Sequence, residues 1–293
     1  MYYRRKVLLA LVQAFGGRLK RTDCQKLLFL FCHHVGRNFY DFFPYHYGGF
    51  SILSYHDKTR LADLKLMKDG EDFELSTEES VLDQLKMPDQ VALKSFADDM
   101  QGFSGNQLIR KAYLEYPYYA CRSTILAQIL TAKEIERLRP WWKRNESRCL
   151  FTIGYEGRTI DAYLNLLVAH NAKMVVDVRM NPHSMKYGFS KTPLQGHLER
   201  VGIGYTHLPE LGIPSKLRKN LASPQEYQAL FEHYRSAILP GQTESLAQIQ
   251  FLLQEHKRIS LSCFEADPCS CHRHKIAEYL GALPDFRTPI RHL

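Results

Sequence analysis

Ile259-Ser-Leu-Ser-Cys-Phe-Glu-Ala-Asp-Pro-Cys-Ser-Cys-His-Arg-His274 begins as an apolar strand pattern and breaks at a polar turn. It then enters the helical pattern Lys275-Ile-Ala-Glu-Tyr-Leu280. Between Cys263 and His274 stand three cysteines, two histidines, two acids and an arginine. A strand that passes into a helix through such a turn predicts an α/β domain. Chemistry is expected at the turn, because a helix start offers unpaired N–H donors.

Upstream, the same alternation repeats. Leu150-Phe-Thr-Ile-Gly154 reads as a strand, and Thr159 to Val168 as a helix with Ile160, Tyr163, Leu164 and Leu167 in phase. Met174-Val-Val-Asp-Val-Arg179 is a buried strand ending in charge, Gly204-Tyr-Thr-His-Leu208 a third strand, and Glu226 to Ile238 a helix. Alternating strands and helices predict a parallel sheet with helices on both faces. The loops at the carboxyl ends of such strands share one rim. Tyr155 and Glu156 of Gly154-Tyr-Glu-Gly157, Asp177 and Arg179, and the segment from Cys263 to Arg273 are therefore expected to converge. His207 is expected on the same rim.

The first half has a different rhythm. Val7, Leu8, Leu11, Val12 and Phe15 mark a helix ended by Gly16-Gly17. Thr22 or Asp23 is the expected cap of the next helix, which carries Leu27, Leu28, Leu30, Phe31 and Val35. An aromatic, Gly-containing segment from Phe39 to Ser51 follows, then a helix from about Ile52 to Met67. Phe73-Glu-Leu-Ser76 reads as a wing strand, with Thr77-Glu-Glu79 leading into further helices as far as Arg139. This order predicts a mostly helical, winged-helix-like domain. Arg137-Leu-Arg-Pro-Trp-Trp-Lys-Arg-Asn-Glu-Ser-Arg148 is basic, holds both tryptophans and reads as the linker. A Trp pair amid cations suits nucleic acid, but docking one domain on the other is the favoured reading. The expected domains are 1–148, a recognition module with its basic linker, and 149–293, the α/β domain carrying the site.

The 293 residues are 45% hydrophobic and 24% charged, which is ordinary for a soluble globular chain. No apolar run is long enough to span a membrane, and Met1 to Val12 lacks a cleavage pattern, so a cytoplasmic setting is expected. There the seven cysteines are expected to be reduced, metal-bound or reactive rather than paired as disulfides. The net charge of +8 suits an anionic partner. Nucleic acid or a nucleotide is the expected partner of the basic N-terminal domain; the oligomeric state is not set by these patterns.

The motifs from residue 149 to 293 resemble the domain-of-unknown-function family number 488. Gly154-Tyr-Glu-Gly157, Asp177-Val-Arg179, Pro182 with Ser184, Phe189-Ser-Lys191, Leu208-Pro-Glu-Leu-Gly212 and the segment from Cys263 to Arg273 carry the resemblance. Met185 departs from it, because an Arg commonly follows the Ser there, and Cys269 and His274 lie outside the pattern. The resemblance implies a fold and a site, without a reaction. In the first half, Gln25-Lys-Leu-Leu-Phe-Leu30 with Phe43-Pro-Tyr-His-Tyr-Gly-Gly-Phe-Ser51 resembles Panacea-like, phage-associated domains, with Gly49 where a Pro is usual. That resemblance implies a recognition module.

A cysteine at a strand-to-helix turn is also similar to rhodanese-like sulfurtransferases and cysteine phosphatases. Helix N-terminal donors and nearby cations favour a thiolate. Cys263 or Cys271 would be the nucleophile, Glu265 or His272 the proton carrier, and Arg179 and Arg273 the holders of an anionic group. Cys263, Glu265, Cys271 and His272 are thus the candidate catalytic residues. Tyr155, Glu156, Asp177, Arg179 and Arg273 are the candidate substrate-binding ones, with the glycines beside Tyr155 and Glu156 expected to admit an anionic ligand. Cys263 and Arg273 are ten positions apart, too far for the short cradle of a simple phosphatase. Metal ligation is the less favoured reading, because adjacent ligands rarely reach one ion together, and no metal or cofactor is expected. A Cys263–Cys271 redox pair and a merely structural Cys263 stay open. The favoured function is a cysteine-dependent enzyme or sensor acting on a phosphate-bearing or nucleic-acid-linked substrate. The alternative is a non-catalytic, nucleic-acid-binding regulator associated with phage defence or a toxin–antitoxin pair.

Overall fold

The computed structural model describes residues 1–76, 80–218 and 223–293. Thr77-Glu-Glu79, expected to lead into a helix, lies outside the described residues. The chain divides into two compact units, Met1–Lys143 and Arg144–Leu293.

The first unit is mostly helical. Helices α1 (Tyr3–Ala14), α2 (Arg21–His34), α3 (Ile52–Asp63), α4 (Met87–Asp99), α5 (Asn106–Glu115), α6 (Leu126–Ile129) and α7 (Ala132–Leu138) carry most of it. Strands β1 (Arg18–Leu19), β2 (Phe43–Tyr45), β3 (Gly48–Phe50) and β4 (Phe73–Glu74) are short. Gly16 and Gly17 adopt φ of 88° and 82°, the left-handed turn that ends α1. Neither Thr22 nor Asp23 caps α2: the helix starts after Lys20, and Asp23 Oδ1 instead accepts from the Gly105 amide at 2.8 Å. The aromatic segment is a hairpin, β2 paired antiparallel with β3. The Phe73 strand pairs antiparallel with β1. Trp142 donates its indole N–H to the Pro117 carbonyl at 2.7 Å, inside its own unit, whereas Trp141 is exposed.

Part of the basic charge is internal. Fully buried Asp57 accepts from Arg4 Nε at 2.6 Å, Arg5 Nε at 2.7 Å and the Tyr40 hydroxyl at 3.0 Å. The first basic cluster is therefore partly committed to the core of its unit, since a buried carboxylate must be paired.

The second unit is the α/β domain. Strands β5 (Cys149–Gly154), β6 (Met174–Asp177), β7 (Gly204–His207), β8 (Arg258–Cys263) and β9 (Ile290–His292) form a parallel sheet in the order β7-β6-β8-β5-β9. Helices α8 (Ile160–Ala169), α9 (Lys191–Arg200), α10 (Pro224–His233), α11 (Thr243–His256) and α12 (His272–Gly281) cross between them. Leu150, Val176, Ile259 and Leu261 pack in one cluster with Phe231, Leu253 and Ile276 of α10 to α12. Ser262 points the other way and accepts from Tyr163 of α8 at 2.8 Å, so both faces are covered. The buried Arg258 anchors the unit's first residues, bonding the His170 carbonyl and Asn145 Oδ1. No helix among the described residues is long and apolar enough to cross a membrane.

The strand order fixes where a ligand fits. The chain leaves β6 towards β7 and leaves β8 in the opposite direction, over β5 to β9. The connections diverge at the carboxyl ends of β6 and β8, which is the crevice where open α/β sheets bind ligands.

Candidate functional site

The register sets the two walls of that crevice level. Asp177 at the end of β6 lies opposite Ser262, and Gly154 at the end of β5 lies opposite Cys263. A cleft of about 370 Å³ opens there, lined by Tyr155, Arg179, Asn181, His183, Cys263 and Glu265, with His272 and several apolar side chains completing it.

Cys263 is the last residue of β8 and is 2% exposed. Its Sγ lies 3.3 Å from Glu265 Oε2 and 3.7 Å from His272 Nδ1. His272 Nε2 is 2.9 Å from the Val178 carbonyl oxygen. A carbonyl can only accept, so Nε2 carries a hydrogen, and in the neutral tautomer Nδ1 is the acceptor turned to the sulfurs. Cys271 Sγ is 3.8 Å from the same Nδ1. Burial pushes the Cys271 thiol well above its usual range, and the neighbouring Cys263 adds to the shift. Burial alone would raise the Glu265 carboxyl, but hydrogen bonds from Cys271 and Cys263 hold it below its ordinary value.

Backbone conformation brings these groups together. Asp267 caps the turn, with Oδ1 accepting from the Cys269 amide at 3.0 Å and Oδ2 from the Ser270 hydroxyl at 2.8 Å. Cys271 is then extended, at φ −142° and ψ 141°, immediately before helical His272. Cys271 and His272, although adjacent, thereby turn their ligand atoms to a common point with Cys263, all within 4.8 Å of one another. Adjacent residues rarely reach one point together, and the break in conformation at Cys271 is what lets this pair do so.

Arg179 forms the opposite wall. Its Nε and Nη2 grip both oxygens of Asp177 at 2.8 and 2.6 Å, while Nη1 donates to the Tyr155 hydroxyl at 2.8 Å and the Phe189 carbonyl at 2.9 Å. Burial opposes its charge, yet the Asp177 carboxylate more than restores it, raising the guanidinium above its ordinary range. Asp177 also accepts from the Tyr205 hydroxyl at 2.8 Å. The Tyr155 ring stacks on Phe189 with centroids 4.3 Å apart, and the Lys186 ammonium donates to the Tyr155 carbonyl at 2.9 Å.

Not every expected residue lines the cleft. Arg273 is fully buried and bonds the carbonyls of Glu265 at 2.6 Å and Ala266 at 3.0 Å, so it braces the loop after β8 instead of facing a ligand. Glu156 braces the same loop, accepting from the Ala266 amide at 2.9 Å. Asp177 holds Arg179, and Cys271 lies behind Cys263, 1% exposed. His207 is not among the residues lining the cleft; its Nε2 donates to the carbonyl of Arg179 at 2.8 Å. Gly154 makes room for protein backbone rather than a ligand, since a Cβ there would fall 1.7 Å from the Glu265 carbonyl oxygen. Gly157 is needed for its φ of 71°.

Sequence reasoning missed Asn181, His183 and Lys186. They stand in an irregular stretch after β6, where no periodicity marks them; the signal available was their position just after Asp177-Val-Arg179 at a strand's carboxyl end.

Residues 159–280 match a protein family described as a domain of unknown function, DUF488. The match contains Asp177, Arg179 and the segment from Cys263 to Arg273, and leaves Tyr155 and Glu156 just outside. The Panacea-like resemblance of the first half finds no counterpart. No curated protein and no solved structure matches the chain.

Proposed function

We propose that the second unit is a cysteine-dependent enzyme whose reacting centre is Cys263, acting on a phosphate-bearing or nucleic-acid-linked substrate seated in the β6/β8 cleft. The observation that carries the reading is the contact set of Cys263. A thiol on the cleft floor faces the imidazole Nδ1 at 3.7 Å and a carboxylate at 3.3 Å. His272 Nδ1 can receive the thiol proton, and its Nε2–H bond to Val178 spreads the resulting charge onto a fixed dipole. Cys271 is a positioning residue in this scheme, being buried behind Cys263 with its thiol held protonated. Asn181 and His183 supply polar contacts to the substrate, and Arg179 supplies a rigid cationic wall. The net charge of +8, carried by the chain as a whole, would favour a polyanionic substrate.

The substrate class is tested by calorimetric titration of the full chain with AMP and p-nitrophenyl phosphate against adenosine and p-nitrophenol. Binding confined to the phosphate-bearing member of each pair is expected. Equal binding within each pair, or none, overturns the substrate class.

A further inference from the structure

The three ligand atoms around His272 have a spacing that a proton relay does not require. In a tetrahedral zinc site with Zn–S of about 2.3 Å and Zn–N of about 2.0 Å, sulfur and nitrogen ligands lie roughly 3.5 Å apart. Cys263 Sγ and Cys271 Sγ stand 3.7 and 3.8 Å from His272 Nδ1. Glu265 Oε2 stands beside this cluster, 3.3 Å from Cys263 Sγ. The thiols and the imidazole nitrogen are buried and mutually within 4.8 Å.

The surroundings match what a metal site demands of its supports. A ligating histidine donates its other N–H to a fixed acceptor, and His272 Nε2 does so to the Val178 carbonyl at 2.9 Å. Arg273 grips the carbonyls of Glu265 and Ala266, fixing the loop that carries the carboxylate. Its buried positive charge also offsets the net negative charge that two thiolates and a carboxylate leave around a dication. Soft sulfur with imidazole selects zinc over magnesium or calcium, which prefer all-oxygen sets.

We infer that Cys263, Cys271 and His272 bind a zinc ion at the floor of the β6/β8 cleft. Both thiols lose their protons to solvent as the ion enters, and the fourth position is left for a water or a substrate oxygen, with the Glu265 carboxylate beside it in the cleft. The inference rests on the cysteine-dependent reading only for the location of the reacting centre. It gives Cys263 the role of a ligand thiolate in the zinc-loaded chain, in place of a free nucleophile.

The test is the metal content of full-length protein purified without chelator and equilibrated with zinc, read by mass spectrometry of the metal. About one tightly held zinc per chain is expected, with Cys263→Ser, Cys271→Ser and His272→Gln each lowering affinity at least 10-fold. Cys269→Ser and His274→Gln should keep the wild-type stoichiometry. Cobalt substitution of the wild-type chain removes dependence on variants that fail to fold. An intense visible band with a sulfur-to-cobalt charge-transfer band is expected for a tetrahedral thiolate site. A wild-type chain that holds no zinc and gives no such spectrum overturns the site, as does a stoichiometry unaffected by all three ligand variants. Zinc content is read independently of turnover. A zinc-loaded chain without activity would refute the enzyme and keep the site, and a zinc-free chain whose activity needs Cys263 would do the reverse.

Discussion

The imidazole of His272 is locked by the Val178 carbonyl: Nε2 donates across 2.9 Å to the first residue after β6, and Nδ1 is left facing Cys263 and Cys271. One hydrogen bond thus ties the start of α12 to the end of β6 and sets which nitrogen faces the sulfurs. Replacing His272 with Phe keeps the ring and strands the buried carbonyl. A loss of about 1–3 kcal/mol in the second unit's stability is expected from the unpaired acceptor, measured by urea unfolding. An unchanged transition would mean that Val178 finds another donor.

Gly154 and Gly157 flank Tyr155-Glu156 for different reasons, and substitution should separate them. Gly154→Ala drives a methyl into the backbone of Glu265, with 1.7 Å to its oxygen and 2.6 Å to its carbon. A cost of about 3 kcal/mol or more is expected, because neither strand end can shift without breaking the parallel register. Gly157→Ala meets no atom within 4 Å and suffers only from φ of 71°, so roughly 1–2 kcal/mol is expected. Denaturant midpoints of the two variants in the full chain would check the order; equal losses would contradict it.

Asp177 and Arg179 are a buried, doubly bonded pair, 0% and 6% exposed. Arg179→Met leaves the carboxylate with the Tyr205 hydroxyl as its side-chain partner and should cost about 3–5 kcal/mol. Arg179→Lys should recover only part of this, since an ammonium cannot span both carboxylate oxygens. Unfolding free energies for the two variants and the double variant Asp177→Asn/Arg179→Met measure the coupling, which should exceed 1 kcal/mol.

In the first unit, Lys26 is fully enclosed, and its ammonium donates to the Gly49 carbonyl at 2.6 Å. Burial lowers its pKa to about 7 from 10.5. Between those values the unfolded chain holds a proton that the folded chain has released, so this group's contribution to stability rises with pH above 7 and falls as pH drops towards it. Relative to Lys26→Met, wild-type stability should climb by up to about 1.4 kcal/mol per pH unit between pH 7.5 and 9.5. A difference that stays flat with pH would show that the lysine is neutral, or charged, throughout.

Much of the second unit was legible because its strands are short and apolar, with β5 ending in Gly154 and β6 in Asp177. Met174 to Arg179 and Ile259 to Cys263 announce both cleft walls, and their position on one rim follows from parallel pairing. Helix α9 was not read, because Pro193 and Gly196 interrupt its rhythm, and β9 is only three residues, two of them basic. Which side of the rim each residue serves was not legible. Arg273 and Glu156 have the chemistry of anion and proton handlers, and only the fold of the loop after β8 turns them onto backbone groups. The meeting of Cys271 with His272 depends on one extended residue before a helix, which no spacing rule anticipates.

The most direct measurement is turnover by the full chain on phosphomonoesters, phosphodiesters, nucleotides and a short oligonucleotide, run side by side for wild type, Cys263→Ser and Cys269→Ser. Cys269 is exposed in the same turn, so its variant controls for general damage. Conversion of at least one phosphate-bearing compound is expected, lost by about 100-fold or more in Cys263→Ser and held within about 2-fold in Cys269→Ser. Turnover that survives Cys263→Ser, or none on any member of the panel, contradicts a reacting centre at Cys263.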